Sequence, residues 1–212
     1  AFMQRCHVVA TDTTDAVAKL RDIAAAAICH ACRDPQPGVV FLFPGQGSQY
    51  AGMGRELHAT EPVFRAALDE VANALHDELG FDLRERMFDG DEEALRATAL
   101  TQPATFAMEY ALARLWMALG VRPVALIGHS IGEFAAAAIA GTMSVADAAR
   151  LVARRGHLMQ GLPSGAMLSV RLGAAELRAR LPESLSLAAE NAPNASVVAG
   201  TPDAIDAFRA TL

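Results

Sequence analysis

Residues Gly128-His129-Ser130-Ile131-Gly132 spell G-x-S-x-G between the apolar run PVALIG and the small-residue stretch EFAAAAIAG. After a buried strand and before a helix, such a pentapeptide has the mechanics of a nucleophile elbow. The glycines permit a sharp turn and let helix and strand approach closely. Ser130 is then expected above the strand's C-terminal end, at the positive end of the next helix. The backbone N–H of Ile131 becomes an oxyanion donor. The bare pattern also arises by chance, and a tight turn holding an idle serine is the plain alternative.

A nucleophilic serine needs a group to take its proton. Six histidines are available. His129 adjoins the serine, and adjacent side chains diverge. His7 and His30 lie in the N-terminal segment. His58 and His76 fall in polar parts of helical patterns, where a solvated face is expected. His157 follows the serine, the order found in hydrolases. Its helical pattern, SVADAARLVARRGHLMQ, spans residues 144–160 with Ser144 as N-cap. An apolar stripe runs through Ala148, Leu151, Val152, Leu158 and Met159, while Asp147, Arg150, Arg154 and His157 share the opposite face. His157 is therefore expected to point to solvent, and none of the six makes a convincing base.

The same helical wheel sets Arg155 on the apolar stripe, three residues after Val152 and four before Met159. A buried guanidinium is costly unless it meets an anion. Either a structural salt bridge or a ligand carboxylate would serve, and arginine grips a carboxylate with two parallel hydrogen bonds. A second motif, FPGQGSQYAGMG over residues 43–54, lacks the third glycine of G-x-G-x-x-G and the lysine of a P-loop. It follows an apolar strand, so the N–H of Gln46 can reach the same sheet edge as Ser130 and complete an oxyanion hole. Simple turn-making is the structural alternative.

Elements must hold these groups in place. VVFLF (39–43) and PVALIG (123–128) read as buried parallel strands. Helices are expected near 52–58, over 61–79, after Pro103 and over 131–140. The alternation argues for a parallel α/β core. Beyond Pro163 the order becomes βαββα, a ferredoxin-like unit without its last strand. Residues 5–11 read as a strand and 14–31 as a helix, ended by the RDPQPG break. The expected organisation is thus a linker-like segment over 1–38, the core over 39–163, and an incomplete ferredoxin-like subdomain over 164–212. Ala1 as first residue and AFRATL as the ending suggest a chain excised from something longer.

Composition narrows the partners. A net charge of −6 gives no basic footprint for nucleic acid. No apolar run approaches the ~20 residues of a membrane span, and the first residues, AFMQRCHVVATD, lack the basic-then-apolar order of a signal peptide. Three cysteines are too few for a disulfide framework and fit a reducing, cytoplasmic setting. Cys29 and Cys32 have C-x-x-C spacing, but no second pair completes a zinc site. They read as incidental residues of the alanine-rich helix, and no metal site is expected.

Taken in order, FPGQGSQ, TQPA, GHSIGE, RRGHLMQ, GAM and NAPNASVVAG resemble the acyltransferase domains of type I polyketide synthases. They also resemble the malonyl-CoA:acyl-carrier-protein transacylases of fatty-acid synthesis. The similarity runs from about residue 39 to the end. RCHVVATDTTDAVAKLR (5–21) is similar to the linker between ketosynthase and acyltransferase in modular synthases, which favours the first of the two. The resemblance implies an α/β-hydrolase-like core and a ping-pong transfer. Ser130 would attack the thioester of an acyl-CoA, with the N–H groups of Gln46 and Ile131 holding the oxyanion. Arg155 would pair with the substrate's free carboxylate. The phosphopantetheine thiol of an acyl carrier protein would then take the acyl group, and no cofactor would be bound.

The resemblance also implies a catalytic histidine beyond residue 212, so the 212 residues alone are expected to turn over little or not at all. Ile131, after the serine, and TALTQ (98–102) point to malonyl, although Leu100 stands where an aromatic is usual. Two other readings stay open: a serine hydrolase such as a thioesterase on the same elbow, and a non-catalytic docking module. Faster transfer to a carrier thiol than to water separates the first from the acyltransferase.

Overall fold

Asp12 accepts a hydrogen bond from the backbone N–H of Asp15 and starts helix α1 (Thr13–Ala25). This helix runs between two short antiparallel strands, β1 (Gln4–Arg5) and β2 (His30–Ala31). The computed structural model describes residues 4–26, 30–31 and 38–212. Two expectations change here: the strand over 5–11 is reduced to Gln4–Arg5, and the helix over 14–31 stops at Ala25. Alanine favours helix, but pairing with Gln4–Arg5 draws His30–Ala31 into extended backbone, a tertiary override of local propensity. Cys29, Cys32 and the RDPQP stretch lie outside the described residues.

Two compact units follow from the packing, Ala1–Ala153 and Arg154–Leu212. In the first, β3 (Val39–Phe43) leads through a glycine turn to α2 (Arg55–Thr60) and α3 (Pro62–Leu79). Two short helices come next, α4 (Leu83–Phe88) and α5 (Glu92–Arg96), capped by the carboxylates of Asp82 and Asp91. The long α6 (Thr98–Ala118) precedes β4 (Pro123–Gly128), which lies parallel to β3, and α7 (Gly132–Ala140) returns over both strands. Phe64, Leu68 and Leu75 of α3 and Phe106 of α6 are fully buried or nearly so in one apolar core. α6 begins before Pro103 rather than after it. The Thr101 hydroxyl, which donates to the carbonyl oxygens of Leu95 and Ala97, ties down the extra turn.

The strands were expected to be buried, and they are not fully so. Val40 is 44%, Leu42 70%, Val124 72% and Ile127 58% exposed. Their apolar side chains mark surfaces suited to burial, but among the described residues the sheet stops at two strands.

Helix α8 (Val145–Gln160) crosses the division between the units, whereas the sequence puts its boundary after Pro163. Ser144 caps it as expected, its Oγ accepting from the N–H of Asp147 at 3.1 Å. In the second unit the chain adds β5 (Ala166–Val170), α9 (Ala174–Arg180), β6 (Ser186–Ala192), β7 (Ala195–Gly200) and α10 (Pro202–Arg209). This is the expected βαββα order, and the antiparallel sheet has β7 between β5 and β6. Val170, Leu177, Val198, Ile205 and Phe208 form its core.

Candidate active site

Register brings two turns to the same end of the parallel pair. Phe43 of β3 lies opposite Gly128 of β4. The chain leaves β3 as Pro44-Gly45-Gln46 and leaves β4 as His129-Ser130-Ile131. The N–H of His129 donates to the carbonyl of Phe43 at 2.9 Å and stitches the two exits together.

The second turn has the geometry of a strained elbow. Ser130 has φ of +54°, the one non-glycine residue with positive φ among those described. That left-handed conformation costs an L-residue ~1–2 kcal/mol. It persists because its surroundings over-determine it. A Cβ on Gly128 would lie 2.3 Å from the backbone nitrogen of Glu133, and one on Gly132 would lie 2.2 Å from the carbonyl oxygen of Phe43. Both glycines are therefore required for helix α7 to start this close to the strands. The N–H groups of Gly132, Glu133 and Phe134 donate to the carbonyls of His129, Ser130 and Ile131. The N–H of Ile131 stands outside that ladder. Ser130 is exposed, while the Ile131 side chain is fully buried, so Ile131 can offer only its backbone to a ligand.

The glycine turn lies against the elbow. A Cβ on Gly45 would come within 2.9 Å of His129 Nδ1 and 3.4 Å of the His129 carbonyl. The imidazole of His129 thus leans over Gly45. Gln46 is exposed, its side-chain amide donating weakly to Thr98 Oγ1 at 3.5 Å. Gln49 folds back so that its Oε1 accepts from the N–H of Gly47 at 2.8 Å. The two turns thus leave the parallel strands side by side at one end of the pair.

The other histidines have their own surroundings. His58 was expected on a solvated face; instead its side chain is 23% exposed and bonded to Asp69 at 3.0 Å, beside the ring of Phe88. Arg84 bridges Asp69 and Asp82, at 2.7 and 2.6 Å. His76 is exposed at the end of α3, His7 is exposed before α1, and His157 is exposed as expected.

Arg155 belongs to the second unit. The stripe inferred for α8 needs correcting: Ala148, Ala149, Val152, Ala153 and Gly156 are buried, whereas Leu151, Leu158 and Met159 are exposed. The buried face is lined by small residues rather than by the leucines, which the spacing alone did not distinguish. Arg155 is half-buried, and both it and Ser130 take part in interactions within the structure.

One polar group escaped the sequence reading. Glu109 of α6 is 8% exposed, and burial pushes its carboxyl up to about 8. Its signal was a lone acid inside the apolar stretch FAMEYALA. Among the described residues no group of three or more His, Cys, Asp or Glu could hold a metal ion, and no helix is long and apolar enough to cross a membrane.

Residues 40–212 match the family model described as "Acyl transferase domain". Mycoketide-CoA synthase of Mycobacterium tuberculosis is 48% identical over 169 residues, 79% of this chain and 4% of that protein. The acyltransferase domain from the second module of the salinomycin polyketide synthase superposes with a TM-score of 0.89 at 47% identity, covering 98% of this chain and 51% of that one. A malonyl-transacylase solved with its type II polyketide acyl-carrier protein gives a TM-score of 0.71 at 34% identity, over 82% of this chain and 60% of that one. The chain therefore spans about half the length of the solved domain it matches, and a small part of the curated synthase.

Proposed function

Because the chain belongs to the acyl transferase domain family, we propose that it serves acyl transfer in polyketide assembly through an ester on Ser130. Ser130 Oγ adds to the carbonyl of an acyl-CoA thioester, its proton passes to a base, and the carbon–sulfur bond breaks to release CoA as its thiol. The N–H groups of Gln46 and Ile131 hold the oxyanion that forms in between. The phosphopantetheine thiol of an acyl carrier protein then attacks the ester and leaves Ser130 free. Arg155 binds a free carboxylate on the acyl group, which makes the extender unit a malonyl type.

The observation that carries this reading is the positive φ of Ser130 at the end of a parallel strand, next to the glycine turn. Strain of that kind is what a nucleophile elbow uses to lift a hydroxyl clear of the backbone. The likeness to a malonyl-transacylase in complex with a carrier protein supports the choice of donor and acceptor. The division 1–38, 39–163 and 164–212 is proposed on the same grounds, with the first segment linking to a neighbouring ketosynthase.

The test measures malonyl transfer to a phosphopantetheinylated carrier protein by the acyltransferase domain that contains these residues. Transfer should exceed hydrolysis of malonyl-CoA by orders of magnitude and vanish in Ser130→Ala. Equal rates of transfer and hydrolysis would favour a thioesterase instead.

A further inference from the structure

Gln46 sits in a turn whose path glycine leaves open. Residues 44–54 join β3 to α2, and Gly47, Gly52 and Gly54 all have positive φ. Two fixed points bracket this stretch. At its start the N–H of His129 holds the carbonyl of Phe43. Towards its end the N–H of Gly52 donates to the carbonyl of Met87 at 2.8 Å, and the side chain of Met53 is buried in the core. Arg55, the first residue of α2, reaches the same place: its Nη2 donates to the carbonyl of Phe88 and to Asp89 Oδ1. The end of α4 therefore carries the far end of the turn.

Helices α2 and α4 have six residues each, too few for helical hydrogen bonds alone to keep them in place. One carboxylate of α3 ties both. His58 Nε2 of α2 donates to Asp69 Oδ1 at 3.0 Å, and Arg84 Nη1 of α4 donates to the same oxygen at 2.7 Å. Arg84 also grips Asp82, the N-cap of α4, through Nε at 2.9 Å and Nη2 at 2.6 Å. Burial alone would raise the Asp69 carboxyl, but the bonds from His58 and Arg84 outweigh it and hold it below its usual value. All three side chains are mostly covered, so water screens them less than an ordinary surface pair.

We propose that Asp69 is a positioning residue for acyl transfer, clamping α2 and α4 so that the glycine turn presents the N–H of Gln46 to the oxyanion. The inference rests on the oxyanion role proposed for Gln46. Oxyanion charge develops only during ester formation and during transfer to the carrier thiol. A displaced donor therefore slows both steps and leaves acyl-CoA binding alone. A misplacement of ~1 Å costs about a hundredfold in rate, which sets the scale for a loosened clamp.

The test follows single turnovers of the acyltransferase domain that contains these residues, unaltered and as Asp69→Ala, which removes both ties at a partly exposed site. The rate constants for acylation of Ser130 by malonyl-CoA and for transfer to a phosphopantetheinylated carrier protein should both fall roughly ten- to a hundredfold. The half-saturating malonyl-CoA concentration and the fraction of enzyme acylated should stay the same, and acylation by acetyl-CoA should slow by the same factor. Amide exchange at Gly52 should quicken at least ~tenfold. Arg84→Lys, which keeps the charge but cannot fork between Asp69 and Asp82, should slow both steps severalfold and serves if Asp69→Ala fails to fold. A cluster that only stabilises the fold would shrink the acylated fraction and leave both rate constants unaltered, and that result overturns the proposal. So does a slowing confined to one step or to malonyl-CoA, a rise in the half-saturating concentration alone, or slower steps with Gly52 exchange unchanged. Absence of any ester on the unaltered domain would remove the role of Ser130 and this inference with it, whereas an ester formed equally fast by Asp69→Ala removes the inference alone.

Discussion

At the scale of single residues, the role proposed for Ser130 sets function against stability. Its φ of +54° is a conformation that glycine adopts freely. Ser130→Gly should therefore raise the unfolding free energy by about 0.5–1 kcal/mol while abolishing acylation. Denaturant melts of the two proteins check it, and a loss of stability would show that the turn is not strained. Gly132 behaves in the opposite sense, because a Cβ there would collide with the carbonyl of Phe43 at 2.2 Å. Gly132→Ala should cost at least ~2 kcal/mol in the same melts, since backbone and not a movable side chain stands in the way. Arg155 is tested by substrate choice. Arg155→Ala should lower kcat/KM for malonyl-CoA about a hundredfold relative to acetyl-CoA, roughly the 2–3 kcal/mol of a charge-assisted bidentate contact. Equal loss with both substrates would make the residue structural.

At the scale of elements, α6 is the informative one. It is buried along most of its length, so Glu109 is held in apolar surroundings. Tyr50 is the other titratable side chain lining the groove that α6 forms with β3. With its carboxyl raised to about 8 from a usual 4.5, Glu109 stays protonated in the fold where the unfolded chain has lost the proton. Stability is thus undiminished below about pH 4.5 and falls as pH rises towards 8, by on the order of 3–5 kcal/mol. Glu109→Gln should flatten the decline in thermal melts between pH 5 and about 8; an unchanged slope would refute the burial of the charge. The strands were legible as apolar runs closed by Pro-Gly or Gly, and the elbow as a spaced pattern of glycines around serine. Exposure was not legible, because VVFLF and PVALIG report what a strand is suited to meet, not what covers it. The stripe of α8 failed for a related reason. Alanines at 148, 149 and 153 let a helix approach closely, and a wheel weighted towards leucine misplaces the buried face. His30–Ala31 was misread because its partner strand lies far away along the chain.

At the scale of the whole chain, the two units have separate cores, one joining α3, α6 and α7, the other a three-stranded sheet with two helices. Both match the family model, and the βαββα order of the second was readable because hairpin and helix periods are local. Two of the motifs carrying the resemblance, FPGQGSQ and GHSIGE, fall at the exits of β3 and β4, where backbone geometry restricts residue choice most. What ties these features together is the covalent role proposed for Ser130, and intact-mass measurement of the acyltransferase domain containing these residues tests it most directly. Incubated with malonyl-CoA alone, the domain should gain the mass of one malonyl group, lose it when a phosphopantetheinylated carrier protein is added, and gain nothing as Ser130→Ala. An adduct that survives in Ser130→Ala, or one that the carrier thiol cannot remove, would contradict the account.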